Sequence, residues 1–293
     1  MMYVLIPILS AFLPMALIVA AVFLFRFWQK RDGRRSPLRD KLHNGPGEQL
    51  RQDLEKSGGA LDEALMTFAL LGPFLLCAWA LPQLDWSKVR FGVSEWILTI
   101  FFLAMLAWTL RKTLRLVARR QRLREGLAAE LMTAQSLLSL TSKGCQVFHD
   151  IPAGKFNLDH VVIGPHAVYM VETKSRKKPG GKGKESATVE YDGKRLRFPD
   201  HATDKPLEQA RHEARWLSEF LRGAAGEAVA VVPVVALPGW FVSTGKDAHR
   251  SDVIVLNPKY HSPFLDRRNG VPLSESLRSR IAYALIQRYP ELG

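Results

Sequence analysis

A glutamate and a lysine two residues apart, Glu172 and Lys174, follow an apolar run, and Asp159 occurs within the apolar run before it. Two carboxylates about 5 Å apart at an effective dielectric constant near 20 repel by roughly 3 kcal/mol, so this arrangement requires a cation beside them. Lys174 supplies one positive charge, and Mg²⁺ with oxygen ligands supplies a stronger one. A metal ion so held binds a phosphodiester oxygen and activates a water, while the lysine positions that water or stabilises the transition state. These residue types indicate nuclease chemistry.

Two strands joined by a tight turn are predicted to position these groups. Leu158 to Ile163 and Ala167 to Val171 are rich in β-branched and apolar residues, and Gly164-Pro165-His166 separates them. Because side chains alternate across a strand, Asp159 shares a face with the aliphatic residues of the first strand, and Glu172 with those of the second. In a hairpin these two faces can coincide. A Glu-x-Lys pattern is by itself more often a solvated face, but the apolar flanks argue against that interpretation.

The run from Asn157 to Ile163, followed by Val171-Glu172-Thr173-Lys174, resembles the centre of the nuclease-related domain NERD, which is assigned to the PD-(D/E)XK nuclease superfamily. In that family a helix with a glutamate precedes the strands, as Glu130 does here. A helix opening with Pro-Leu-x-Gln follows them, as Pro206 to Gln209 does here. The resemblance extends over roughly Glu125 to Pro258. The superfamily's proline before the aspartate is replaced here by leucine.

The resemblance implies an α/β fold with a restriction-endonuclease-like mixed sheet flanked by helices. It implies Mg²⁺ or Mn²⁺ as cofactor, with Asp159, Glu172 and Glu130 as metal ligands. Lys174 would position water or stabilise charge, and Gln209 would support the site. Nucleic acid, most simply DNA, is the implied partner. A homodimer is compatible with this reading, because an enzyme that cuts both strands often needs two such sites.

Glu130 is predicted to lie on a long helix from Arg111 to Leu140. The proposed apolar stripe of that helix consists of Leu123, Leu127, Leu131, Ala134 and Leu138. At 100° per residue Glu130 lies about 60° from the centre of the stripe, close enough to reach the strands. The alternative is an ordinary glutamate on the helix flank, paired with Arg124 or Lys143.

A loop rich in glycine and lysine follows the Glu-x-Lys strand, from Ser175 to Lys184. Its ammonium groups are predicted to grip nucleic-acid phosphates, and the residues concerned are Lys177, Lys178, Lys182 and Lys184. A solvated flexible loop is an equally good interpretation. A nucleotide-binding loop is excluded, because Glu185 stands where Ser or Thr is required and the glycine spacing is wrong.

The remaining elements complete an α/β pattern. Strands are predicted at Cys145 to Ile151, Ala228 to Leu237 and Asp252 to Leu256, and Asp192-Gly193 predicts a hairpin between Thr188 to Tyr191 and Lys194 to Phe198. Amphipathic helices are predicted at Lys205 to Arg222 and Ser274 to Tyr289. The two cysteines exclude a disulfide framework.

Three apolar runs predict transmembrane helices before this domain. Residues 1 to 25 carry no charge and reach about 38 Å as a helix, against a bilayer core of about 30 Å. Ala64 to Leu84 and Trp96 to Leu110 form the second and third runs, for which a buried helical hairpin in a soluble domain is the alternative. The predicted organisation is a transmembrane anchor (1–28), a basic cytoplasmic loop (29–60) with one short helix near Glu48 to Lys56, two transmembrane helices (61–110), a basic helical linker (111–124) and the NERD-like domain (125–293).

The distribution of charge predicts the orientation. Lysine and arginine follow the first and third runs, so the positive-inside rule places the amino terminus outside and the domain after Leu110 in the cytoplasm, at the inner (plasma) membrane. The formal net charge of +13 suits a polyanionic partner, either nucleic acid or the anionic lipid bilayer.

A membrane-anchored, metal-dependent nuclease is therefore the predicted function. One alternative is a catalytically inactive membrane module that binds nucleic acid and retains the fold. A sensor or transport accessory is a weaker alternative, because the apolar runs carry no central ionisable residue.

Overall fold

A computed structural model of the chain describes residues 45–59, 92–179, 187–267 and 270–289. These residues belong to two compact units. The first contains 55–59 and 92–121, and the second contains 45–54, 122–179, 187–267 and 270–289. The second unit carries the residues of the predicted site.

The chain enters the described region through two helices. Helix α1 covers residues 48–59, where the sequence is polar, and α2 is one continuous helix of 46 residues, Val93–Leu138. Large apolar side chains in the first part of α2 are between 57 and 63% exposed, namely Trp96, Ile97, Ile100, Phe101 and Trp108. Among the described residues, none of the helices has the length and apolar character needed to cross a membrane. The first two predicted spans lie outside these residues. The third, Trp96 to Leu110, lies within α2, and this finding does not bear it out.

A five-stranded mixed sheet forms the centre of the second unit, as predicted. Its strands, in spatial order, are β1 (Gln146–Pro152), β2 (Asn157–Ile163), β3 (Val168–Thr173), β7 (Val231–Ala236) and β9 (Ile254–Leu256). The pairs β1–β2 and β2–β3 are antiparallel, and β3–β7 and β7–β9 are parallel. Both faces of the sheet are covered. The apolar strand sequences explain this, because strands buried on both faces need apolar side chains at successive positions.

A second, four-stranded sheet lies beside the first and was not predicted as a separate layer. It consists of β4 (Thr188–Tyr191), β5 (Leu196–Arg197), β6 (Ala202–Thr203) and β8 (Phe241–Thr244), in the order β6-β5-β4-β8. The predicted hairpin is confirmed, since Gly193 takes a positive φ of 93° and β4 pairs antiparallel with β5. Strands of two to four residues are too short to carry a readable alternation, which explains why β6 and β8 were missed.

Helices α3 (Lys205–Ala225) and α4 (Glu275–Ile286) pack on the second unit near their predicted positions. Proline in the first turn of α3 and a left-handed Gly226 after its last turn fix its ends. Its apolar face is fully buried at Leu207, Ala210 and Leu217. This face packs in the same core as the inward side chains of β2 and β3, so α3 covers the face of the sheet on which Asp159 and Glu172 were predicted.

The buried face of α2 agrees with the predicted stripe only in part, since Ala134 is buried but two of its leucines are not. Leu131 and Leu138 are 39% and 62% exposed, whereas Thr133 and Leu137 are fully buried. Glu130 precedes Thr133 by three residues and Leu137 by seven, so it lies on the buried face itself. The sequence is rich in leucine and alanine at adjacent helical positions, and the two stripes are therefore nearly equivalent before the sheet selects one of them.

Adjacent leucines at the end of α2 provide a test of this rotation. Leu137→Ala is expected to lower the free energy of unfolding by about 2–5 kcal/mol, because it leaves a cavity in a closed core. Leu138→Ala is expected to change it by less than about 0.5 kcal/mol. Urea denaturation of both variants measures the difference. Equal losses would contradict the orientation of the helix.

Candidate functional site

The hairpin of β2 and β3 brings the two predicted strand carboxylates together. His160 pairs with Val171 in the antiparallel register, and the same register continues to place Asp159 opposite Glu172. The Oδ2 atom of Asp159 accepts a hydrogen bond from the backbone N–H of Thr173 at 2.8 Å. The expected coincidence of the two faces is therefore confirmed.

Lys174 and Gln209 meet above the end of β3. The ammonium group of Lys174 forms an ion pair with the Glu172 carboxylate and donates a hydrogen bond to Gln209 Oε1 at 2.9 Å. Gln209 lies in the first turns of α3, and its Nε2 donates in turn to Glu213 Oε1 at 2.8 Å. Glu172 and Glu213 are each only 3% exposed.

One cavity of about 580 Å³ joins these groups with Glu130. All five residues predicted as catalytic line it, namely Asp159, Glu172, Lys174, Glu130 and Gln209. Residues from three places in the chain, α2, the β2–β3 hairpin and the start of α3, thus converge on a single concave site. Convergent polar groups of this kind in a cleft are typical of an active site.

Acidic side chains that line the cavity outnumber its basic ones, which are Arg122, Lys155 and Lys174. Burial, followed by the charges of Asp150 and Glu172, raises the pKa of Glu130 to about 7. Burial, followed by the charge of Glu172, raises the pKa of Glu213 to about 9. Burial and the charges of Glu172 and Glu130 also raise the pKa of Asp159 well above its ordinary value. Such mutual repulsion is relieved by protons or by a bound cation.

Lys174 remains a cation in these surroundings. Burial lowers the pKa of Lys174, but the neighbouring carboxylates, Glu172 first among them, outweigh that effect and raise it overall. A lysine whose pKa is raised holds its proton at neutral pH, so it cannot act as a general base there. It can donate hydrogen bonds and stabilise negative charge.

Four acidic residues that line the cavity were missed by the sequence interpretation, namely Asp53, Glu125, Asp150 and Glu213, and the last two are buried. Glu213 follows Gln209 by four residues on α3, and this i, i+4 spacing on one helix face was the available signal. Asp150 lies within β1, near its end, and takes a left-handed φ of 49°. This conformation is uncommon for a residue other than glycine. Its carboxylate accepts from Asn157 Nδ2 at 2.8 Å and from the backbone N–H of Gln49 at 3.3 Å. No sequence pattern predicts this strained residue.

Residues 45–54 also contribute to the site, although the sequence indicated only a basic loop with a short helix there; the helix itself is confirmed by α1. Gln49, Leu50 and Asp53 line the cavity. Gly47 packs closely on α2 at a positive φ of 72°, where an added Cβ would clash with the Leu127 side chain. This part of α1 therefore belongs to the unit that carries the site.

The structure describes two of the four lysines that were predicted to bind phosphates. Lys177 forms an ion pair with Glu125 at 2.8 Å, and the ammonium group of Lys178 lies 5.7 Å from the centre of the Trp240 ring. Lys182 and Lys184 lie outside the described residues. Of the two described lysines, Lys177 and Lys178, neither lines the cavity.

The carboxylates fit a divalent cation by their chemistry. Glu130, Asp159 and Glu172 are hard oxygen donors, the class that Mg²⁺ and Mn²⁺ prefer. The buried Oε2 of Glu213 lies in the same cavity and receives no hydrogen bond. Within the ranges that the structure describes, no three His, Cys, Asp or Glu side chains are close enough, as they stand, to hold a metal ion.

Residues 125–238 match the nuclease-related domain family, NERD. The matched segment contains all five predicted catalytic residues together with Glu213. Searches of curated proteins and of solved structures found no match to the chain. The family match and the cavity therefore identify a nuclease-related domain in the second unit.

Proposed function

We propose that the chain is a metal-dependent nuclease that hydrolyses phosphodiester bonds, with DNA as its substrate. The observation that carries this proposal is the single cavity in which Asp159, Glu172 and Lys174 meet. The match of residues 125–238 to NERD supports the same chemistry, and the family's place in the PD-(D/E)XK superfamily is part of the proposal.

Each side chain has a proposed role. Asp159, Glu172 and Glu130 would hold the cation. A bound Mg²⁺ or Mn²⁺ would polarise the phosphodiester and lower the pKa of an attacking water. Lys174 remains protonated and stabilises the charge that develops on the phosphate oxygens. Gln209 orients the lysine through the hydrogen bond to its ammonium group.

Binding of the polyanionic substrate is assigned to the loop after β3. Lys177, Lys178, Lys182 and Lys184 would contact phosphates, with Lys177 exchanging its partner Glu125 for the substrate. The side chain of Lys177 is 62% exposed, so this exchange has a low cost. Cleavage of both strands would use a homodimer.

We further propose attachment of the chain to the cytoplasmic face of the inner (plasma) membrane, with the amino terminus outside. The uncharged residues 1 to 25 support this location. The exposed apolar side chains in the first part of α2, including Trp96 and Ile100, are further support. The lipid bilayer would cover them.

Cleavage assays on the full-length chain test the function. Labelled single- and double-stranded DNA and RNA are incubated with Mg²⁺, Mn²⁺ or EDTA. We expect cutting of DNA that EDTA abolishes and added metal restores. Glu130→Gln is expected to weaken metal affinity by at least about 10-fold while substrate binding persists, because loss of a direct ligand costs no less than loss of a group that only orients one.

Glu190→Gln serves as the matched control, because Glu190 is an exposed glutamate on β4, outside the cavity. It should leave the metal titration unchanged. Binding of nucleic acid without cleavage in any metal would contradict the enzyme and favour a binding module. Cleavage that persists in EDTA would contradict the metal.

A further inference from the structure

Four side chains of the cavity form one polar chain. Lys174 pairs with Glu172 and donates to Gln209 Oε1 at 2.9 Å. Gln209 Nε2 donates to Glu213 Oε1 at 2.8 Å. The Gln209 amide therefore bridges the lysine and Glu213.

The orientation of the Gln209 amide depends on Glu213. An amide has one accepting oxygen and one donating nitrogen, so fixing the nitrogen on Glu213 turns the oxygen toward Lys174. Without an acceptor at position 213 the amide can rotate and present its N–H groups to the ammonium ion, which repels them. Glu213 thus selects the only amide orientation that can hold the lysine.

The surroundings of Glu213 argue against a purely structural role. Its neighbours on the buried face of α3, Ala210, Ala214 and Leu217, are apolar, and Glu213 is itself 3% exposed. Its Oε2 is buried and receives no hydrogen bond, which costs free energy that an apolar residue would avoid. A residue kept at such a cost is expected to serve the site.

We propose that Glu213 is a positioning residue that acts through Gln209 to hold Lys174 against Glu172. Any consequence for catalysis rests on the proposed function of Lys174. The positioning contact itself can be measured without nuclease activity.

Chemical labelling of Lys174 tests the contact directly in the full-length chain. Trace acetylation with acetic anhydride at pH 8 reports how free the amine is, and the exposed Lys194 in the same digest is the internal reference. Glu213→Leu is expected to raise labelling of Lys174 about tenfold, because one hydrogen bond that fixes the ammonium group is lost. Glu213→Gln should stay close to the wild type, since its side-chain oxygen accepts the same hydrogen bond.

A double-mutant cycle then tests the route through Gln209. Gln209→Leu should raise labelling as much as Glu213→Leu, and the double variant should rise no further. Additive effects would overturn the proposal, and so would a Glu213→Gln variant that behaves like Glu213→Leu, because the charge would then be the active property.

Kinetics separate this inference from the proposed function. With saturating metal, Glu213→Leu is expected to lower kcat about tenfold and to leave KM unchanged, while Glu213→Gln restores most of kcat. The predicted labelling pattern in a chain that cuts no nucleic acid would support the positioning contact and overturn the nuclease alone. An unchanged labelling pattern with normal cleavage would overturn the positioning role and leave the nuclease standing.

Discussion

Replacing Lys174 with methionine is expected to lower kcat for phosphodiester cleavage about 10²- to 10³-fold, the usual effect of removing one preorganised donor from a transition-state site. Methionine has a similar length but no charge. The raised pKa of Lys174, set by Glu172 and the other carboxylates against the effect of burial, keeps the side chain cationic at neutral pH. The lost group is therefore a charge and a hydrogen-bond donor, and not a base.

The measurement is steady-state cleavage at saturating Mg²⁺, so that kcat and KM are separated. KM should change little, because an interaction made only in the transition state affects kcat and kcat/KM alike. Lys174→Arg should retain part of the rate, since it keeps the charge but not the shape of the ammonium group. Lys194→Met is the matched control, because Lys194 is an exposed lysine outside the cavity. A normal kcat in Lys174→Met would contradict the assigned role.

The same substitution tests the ion pair in the folded chain. Glu172 is almost fully buried and pairs with Lys174. Removing the Lys174 ammonium group therefore leaves the buried Glu172 carboxyl group without its cation. Kinetic samples should therefore be compared at a temperature at which circular dichroism shows both variants folded. A rate that recovers on cooling would report instability, whereas a rate that stays low would report lost chemistry.

The chemistry of the site was readable from the sequence because it depends on local order along two strands. The alternation of apolar and charged residues predicts which side chains of β2 and β3 share a face, and the Gly-Pro turn predicts their pairing. Asp159 and Glu172 are consequently opposite each other in the register. Gln209 was placed by its resemblance to the family pattern, since a helical glutamine carries no signal of its own.

Other parts of the site depend on contacts between segments that are distant in the chain. The hydrophobic periodicity of the sequence does not predict such contacts. The helix rotation that turns Glu130 inward is selected when Leu137 packs in the same core as Val162 and Val171 of the sheet. The strained φ of Asp150 is held by hydrogen bonds from Asn157 and from the backbone of Gln49, about one hundred residues away in the chain. Glu213 could have been found by extending the helix face of Gln209 by one turn.

The stability of the metal-free chain is expected to fall as the pH rises from about 5 to 9. Folding raises the pKa of Glu130 from its ordinary 4.5 to about 7 through burial and the charges of Asp150 and Glu172, with Lys174 opposing. It raises the pKa of Glu213 from 4.5 to about 9 through burial and the charge of Glu172. The folded state therefore binds more protons than the unfolded state in this window, so the free energy of unfolding decreases with pH.

Mg²⁺ should oppose this loss, because a cation binds the deprotonated carboxylates and replaces the protons. The increase in Tm on adding Mg²⁺ is thus expected to be small at pH 5.5 and large at pH 8.5, since proton competition weakens at the higher pH. Each group contributes at most about 1.4 kcal/mol per pH unit. Thermal melts with EDTA and with Mg²⁺ across this range measure the effect.

Glu213→Gln removes one titrating group and should flatten the metal-free curve of stability against pH between pH 7 and 9, whereas Glu190→Gln, outside the cavity, should not. A metal-free stability that rises with pH would contradict the electrostatics of the cavity, and an equal Mg²⁺ effect at both pH values would contradict binding at these carboxylates.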